Sequence, residues 1–213
     1  MINLFLIAAA VSALLAIASE WNGRRHAAFY VLKPLTTLLI LGAAASAANP
    51  VSALYRELVV AALLLSTIGD ICLLFKGDRW FVGGLSSFLV AHVVFVAAFM
   101  QGLPAFNIPW YTWFVFPYGA VLLWFVLPRA GKLKAPVLVY CTAIFAMLLT
   151  AAARYAAFGD APSQCALIGA VLFVLSDSSL SVAQFRGPYS GAQPLILSTY
   201  WLAVGFIAAS VRT

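Results

Sequence analysis

Runs of roughly 20 apolar residues, the length a helix needs to cross hydrocarbon, repeat along the whole chain with links of only a few residues between them. They fall at about 2–19, 31–48, 56–75, 80–100, 110–127, 136–157, 163–185 and 190–210. A transmembrane barrel would instead alternate apolar and polar residues in short strands. A soluble domain is near half apolar and a quarter charged, whereas this chain is 65% hydrophobic and 8% charged. The pattern predicts an all-α fold: a polytopic transmembrane helix bundle of about eight spans, forming a single transmembrane domain over 1–213. The first run has no basic residues ahead of it and is read as a retained helix rather than a signal peptide.

Lysine and arginine set the orientation. Nine of the twelve sit in or beside the odd-numbered links: Arg24, Arg25, Lys33, Lys76, Arg79, Arg129, Lys132, Lys134 and Arg186. Cytoplasmic loops carry the excess of positive charge, so both termini are expected on the non-cytoplasmic face of a cell membrane, the inner membrane in a bacterium. Trp80, Trp110, Trp113 and Trp201 are read as interfacial aromatics near span ends. Pro117 is read as the one proline well inside a span.

Of only six acidic residues, two interrupt apolar runs: Asp70, in Ser66-Thr67-Ile68-Gly69-Asp70-Ile71, and Asp177, in Leu175-Ser176-Asp177-Ser178. An ionisable group inside a span is costly and marks a functional site or a paired packing contact. Counting residues from the span ends puts Asp70 roughly 8 Å and Asp177 roughly 12 Å below the cytoplasmic face. Lys33 heads span 2 and Gln193 span 8 on that same side, and His92 lies deeper, near the middle of span 4. Asp177, Ser181 and Gln184 share one helix stripe, as do Gly84, Phe88 and His92. Lys33 could equally snorkel to lipid phosphates, His92 could be a packing residue, and Gln193 could bridge helices. Taken together, two acids, a histidine and a lysine on four spans form a polar pocket open to the inner leaflet.

Several chemistries find no footing. The basic residues lie in loops between spans, so no nucleic acid partner is expected. There are two histidines, His26 and His92, and no HExxH or Cys/His cluster, so no metal and no cofactor are expected. Cys72, Cys141 and Cys165 lie inside apolar runs as small hydrophobes. GxSxG and P-loop motifs are absent, although Ser66, Ser176 or Ser178 could approach His92. Two other classes stand beside an enzyme. One is a proton-coupled transporter using Asp70, His92 and Asp177 as a relay; the other is a non-catalytic lipid-binding membrane protein.

Lys33-Pro34-Leu35-Thr36, Gly69-Asp70 with Leu73-Leu74, Gly84 to Phe88 to Ala91-His92, Ser176-Asp177 and Ala192-Gln193 occur in that order from span 2 to span 8. This set resembles the YhhN-like lysoplasmalogenase family. One departure is Phe95, where the resemblance implies a tyrosine. The resemblance implies hydrolysis of the vinyl ether of lysoplasmalogens, lysoplasmenylcholine or lysoplasmenylethanolamine. The products are a fatty aldehyde and the glycerophospho-alcohol, and the partners are lysophospholipid substrate and membrane lipids. Vinyl ether hydrolysis protonates carbon and leaves an oxocarbenium ion, a task two carboxyls in unequal settings can divide. Asp70, Asp177 and His92 are therefore the expected catalytic residues. Lys33, Gln193, Ser176 and Tyr200 are expected to bind substrate, Lys33 through the phosphate.

Overall fold

The computed structural model describes residues 4–20 and 26–213; Arg24 and Arg25 lie outside the described residues. Eight α-helices run through it: α1 (Leu4–Ser19), α2 (Ala27–Ala45), α3 (Ala53–Cys72), α4 (Asp78–Phe99), α5 (Val115–Val126), α6 (Lys134–Phe158), α7 (Ala161–Arg186) and α8 (Ala192–Ala209). Six of them, counting α5 and α6 with their flanking 3-10 turns, are long and apolar enough to cross a membrane. Of the other two, α1 is shorter and α3 carries Arg56, Glu57 and Asp70.

Prolines mark helix starts, because a first-turn residue has no helical acceptor for its N–H. Pro117, Pro136, Pro162 and Pro194 all fall in the first turn of α5, α6, α7 and α8. Pro117 thus starts an α-helix while lying well inside the apolar span Trp110–Arg129. The helix-interior proline is Pro34, because α2 begins at Ala27, earlier than its hydropathy suggests. Pro34 removes the N–H that would bond the Tyr30 carbonyl, one turn from Lys33. Trp80, Trp110 and Trp113 are exposed as interfacial residues are. Trp201 is not: it lies mid-way along α8 and is buried in the core.

Sequence neighbours pack as pairs, α1 on α2, α3 on α4 and α7 on α8, and α8 also packs on α1, α2 and α3. α4 and α7 both pack on α6, closing a ring of α2, α3, α4, α6, α7 and α8. α5 lies outside this ring against α6 and α7. Small residues permit the close crossings. A Cβ on Gly69 would sit 2.6 Å from the Phe88 ring, one on Gly84 would sit 2.9 Å from Leu73, and one on Gly169 would sit 2.7 Å from the Ala203 carbonyl. α3 and α4 therefore interlock reciprocally beside Asp70. The chain end returns to the α2–α3 link, where Val51 and Thr213 donate to Val211 and Asn49.

Candidate functional site

Asp70 sits in the last turn of α3, nearer the helix end than the sequence suggests, since α3 stops at Cys72. The C-terminal end of a helix is the negative end of its dipole and disfavours a carboxylate. Three donors offset this. Thr37 Oγ1 and Tyr200 Oη each donate to Asp70 Oδ2 at 2.7 Å, and Lys33 Nζ lies 3.3 Å from Oδ1. Lys33 and Thr37 are four apart on α2, one turn on one face. Both side chains of the ion pair are buried, with 8% and 1% exposure. Lys33 therefore does not snorkel to the membrane surface; it turns inward. Three donors converge on Asp70, the kind of setting in which a carboxylate's acceptor sites are met.

Asp177 is set differently. It is partly exposed, and among the described residues one donor reaches it, the Tyr140 hydroxyl on Oδ2. Between the two acids runs an aromatic floor. Tyr200 packs perpendicular to Phe173 at 5.6 Å, Phe173 to His92 at 4.7 Å, and His92 to Tyr140 at 5.2 Å. The floor thus joins the two tyrosines that hold the two carboxyls. Phe95 belongs to it, against Phe173, so a ring without a hydroxyl suits this position.

A cavity of about 610 Å³ opens above this floor, at the end of the bundle where the odd-numbered links lie. Lys33, Asp70, Asp177, Gln193, Ser176 and Tyr200 all line it. Lys76, Asp78 and Gln184 line it as well. Two of these residues are already committed elsewhere: Ser176 Oγ donates to the Ile196 carbonyl at 3.0 Å, tying α7 to α8, and Tyr200 serves Asp70. His92 does not line the cavity. It is fully buried in the floor, and neither ring nitrogen has a hydrogen-bond partner among the described residues. Ser66 and Ser178 bond the carbonyls of Ala62 and Val174, and among the described residues no serine pairs with His92. No group of three or more His, Cys, Asp or Glu side chains able to hold a metal occurs among the described residues.

Two central residues, Tyr140 and Thr37, are not among the sequence candidates. Thr37 has a sequence signal, its i+4 spacing from Lys33. Tyr140 has none, since its partner is 37 residues away in sequence.

The site and fold define a helical, multi-pass membrane protein with a two-carboxylate pocket between its helices. The chain belongs to the YhhN family, whose model matches residues 28–211. It is 33% identical over 173 residues to the "Lysoplasmalogenase" of Mycobacterium bovis, covering 78% of this chain and 62% of that protein. It is 30% identical over 158 residues to "Lysoplasmalogenase TMEM86B" of Sus scrofa, covering 74% and 64%, and 30% identical over 156 residues to that of Homo sapiens, covering 73% and 64%. The match therefore spans somewhat under two thirds of these relatives' length. No solved structure matches the chain.

Proposed function

We propose that this protein hydrolyses the vinyl ether bond of lysoplasmalogens, those with choline or ethanolamine headgroups, using two intramembrane aspartates in different protonation states. The observation that carries this reading is the unequal setting of Asp70 and Asp177 on one lipid-sized cavity. Asp70 accepts from Lys33, Thr37 and Tyr200, as an anion should. Asp177 receives one donor and borders apolar walls, so it holds the proton. The named relatives support the substrate class.

Asp177 transfers its proton to the β-carbon of the vinyl ether. The double-bond electrons form the new C–H bond, and the α-carbon becomes an oxocarbenium ion. Asp70 stabilises that cation across the cavity, the electrostatic part of the task. Water adds to the α-carbon and its proton returns to Asp177. The hemiacetal then collapses to aldehyde and the glycerophospho-alcohol, leaving Asp177 protonated. Tyr140 orients Asp177 and His92 holds Tyr140, acting through it rather than on substrate. Lys33, Lys76 and Gln193 meet the phosphate and glycerol. The cavity opens at the Lys- and Arg-rich end, which positive-inside assigns to the cytoplasm, with both termini opposite. A proton-coupled transporter fits less well, since the cavity lining lies wholly at one end of the bundle.

The test uses purified protein with three lysolipids matched in headgroup and length. The vinyl ether should be cleaved, the saturated ether should bind uncleaved, and the ester should react poorly. Asp70→Asn and Asp177→Asn should each lose about 100-fold or more in turnover, the usual scale for a positioned acid or base. Equal cleavage of ester and vinyl ether would overturn the mechanism.

A further inference from the structure

Beside the polar cavity lies a second, much narrower space, about 60 Å³ against about 610 Å³. It runs between α4, α5, α6 and α7. Leu85, Leu122, Val137, Cys141, Ile144 and Val174 form its walls. On α6, Val137, Cys141 and Ile144 are four and three apart, one stripe of the helix. Tyr140 is on the same side, so the stripe that lines the slot also carries the hydroxyl that orients Asp177. The slot and the cavity share Asp177, Leu73, Phe81, Phe88 and Leu180. Asp70 borders the cavity alone.

Apart from Asp177 and Tyr140 at its mouth, the slot's hydroxyl side chains are already bonded. Ser178 Oγ donates to Val174 and accepts from Tyr118, and Ser181 Oγ donates to the Ser178 carbonyl. Water placed there would find few partners, and a site without two to four polar partners does not hold water. A headgroup needs the wide space; a single file of methylenes needs only the narrow one.

Resting on the lysolipid reading above, we infer that this slot is the subsite for the substrate's hydrocarbon chain, with Ile144 setting how much chain it accepts. The assignment accounts for which acid does what. In a vinyl ether the carbon to be protonated lies on the chain side of the ether oxygen, and Asp177 is the carboxyl at the slot's mouth. Chain in the slot and headgroup in the cavity bring that carbon to Asp177. Ile144 lies one turn further from the cavity end than Tyr140 along α6, so it meets methylenes beyond the reacting carbons.

Two measurements test this. In a Cys72→Ala/Cys165→Ala protein in lipid discs, Cys141 is the one remaining thiol. Its labelling by monobromobimane should slow about tenfold at ten times the Kd of hexadecyl lysophosphocholine, an uncleavable saturated ether, and should not slow with glycerophosphocholine. Labelling unaffected by the lysolipid, or slowed equally by the headgroup alone, would overturn the subsite. Second, Ile144→Phe should lower kcat/KM for long-chain lysoplasmalogen by about fourfold for each methylene excluded, sparing a short-chain one. Ile144→Ala should show no such length-dependent loss. Losses independent of chain length in both variants would overturn the subsite while leaving hydrolysis intact. A wild-type protein that cleaves no vinyl ether would instead overturn the proposed function, and the labelling would still decide the slot.

Discussion

The Lys33–Asp70 pair invites a double-mutant cycle. At 3.3 Å and an effective dielectric of about 20, the Coulomb attraction is about 5 kcal/mol. Removing one member of a buried pair costs about 3–5 kcal/mol, because the other charge is left uncompensated. The two ends are not equivalent. In Lys33→Met, Asp70 keeps Thr37 and Tyr200 as donors, so the cost should fall near 3 kcal/mol, the lower end of that range. In Asp70→Asn the amide nitrogen must face a donor, Lys33 or the two hydroxyls, so the cost should reach about 5 kcal/mol. For a chain of 213 residues, about 2–4 °C per kcal/mol translates these into losses of about 6–20 °C in Tm. The double variant should be less damaged than the sum of the singles by about 2–3 kcal/mol. Thermal unfolding of the four proteins in one detergent reads this directly. Single effects that add within about 0.5 kcal/mol, as independent sites do, would refute the buried ion pair.

Other consequences are simpler. Tyr140→Phe keeps the floor packing and deletes the donor to Asp177, so steady-state assays should find kcat reduced with KM little changed; an unchanged kcat would remove Tyr140 from the mechanism. Gly169→Ala pushes a methyl into the Ala203 carbonyl and should cost about 1–3 kcal/mol, the usual range for overpacking, read as a lowered Tm. Asp160 caps α7 by accepting from the Ser163 N–H at 2.9 Å. Slight burial pushes its carboxyl up, but the bonds from Ser163 prevail and hold it below its ordinary range. A depressed carboxyl contributes stability that is present above its unfolded pKa and is lost as pH falls through the folded value. Asp160→Asn should therefore keep the cap and flatten the acid limb of the stability profile, whereas Asp160→Ala should cost about 1 kcal/mol at neutral pH.

The all-α bundle and the two aspartates within it were legible because hydropathy and an ionisable group in an apolar run are local signals; the number of full spans was legible only approximately, since α1 is short and α3 carries three charged residues. Lys33 and Gln193 were legible as polar residues near one end of their apolar runs, and Tyr200 as a polar ring seven residues from Gln193 on the same run. What each polar group binds was not, because the partners are distant in sequence: Tyr200 reaches Asp70 across 130 residues and Tyr140 reaches Asp177 across 37. Composition also could not separate Lys33 at the lipid surface from Lys33 turned inward, since a lysine near the start of an apolar run fits either. His92 shows the same limit. A histidine mid-span reads as catalytic or structural alike, and the packing of Tyr140 and Phe173 against it puts it beneath the site rather than in it. Ser176 likewise lines the cavity but spends its hydroxyl on α8.

In the proposed hydrolysis a protein acid places a proton on carbon. Turnover of a lysoplasmalogen in heavy water tests it most directly. The aldehyde should carry one solvent deuterium on its α-carbon when trapped early and compared with unlabelled aldehyde held under the same conditions, and Asp177→Asn should suppress its formation. An aldehyde free of deuterium would contradict carbon protonation and with it the division of labour between Asp177 and Asp70.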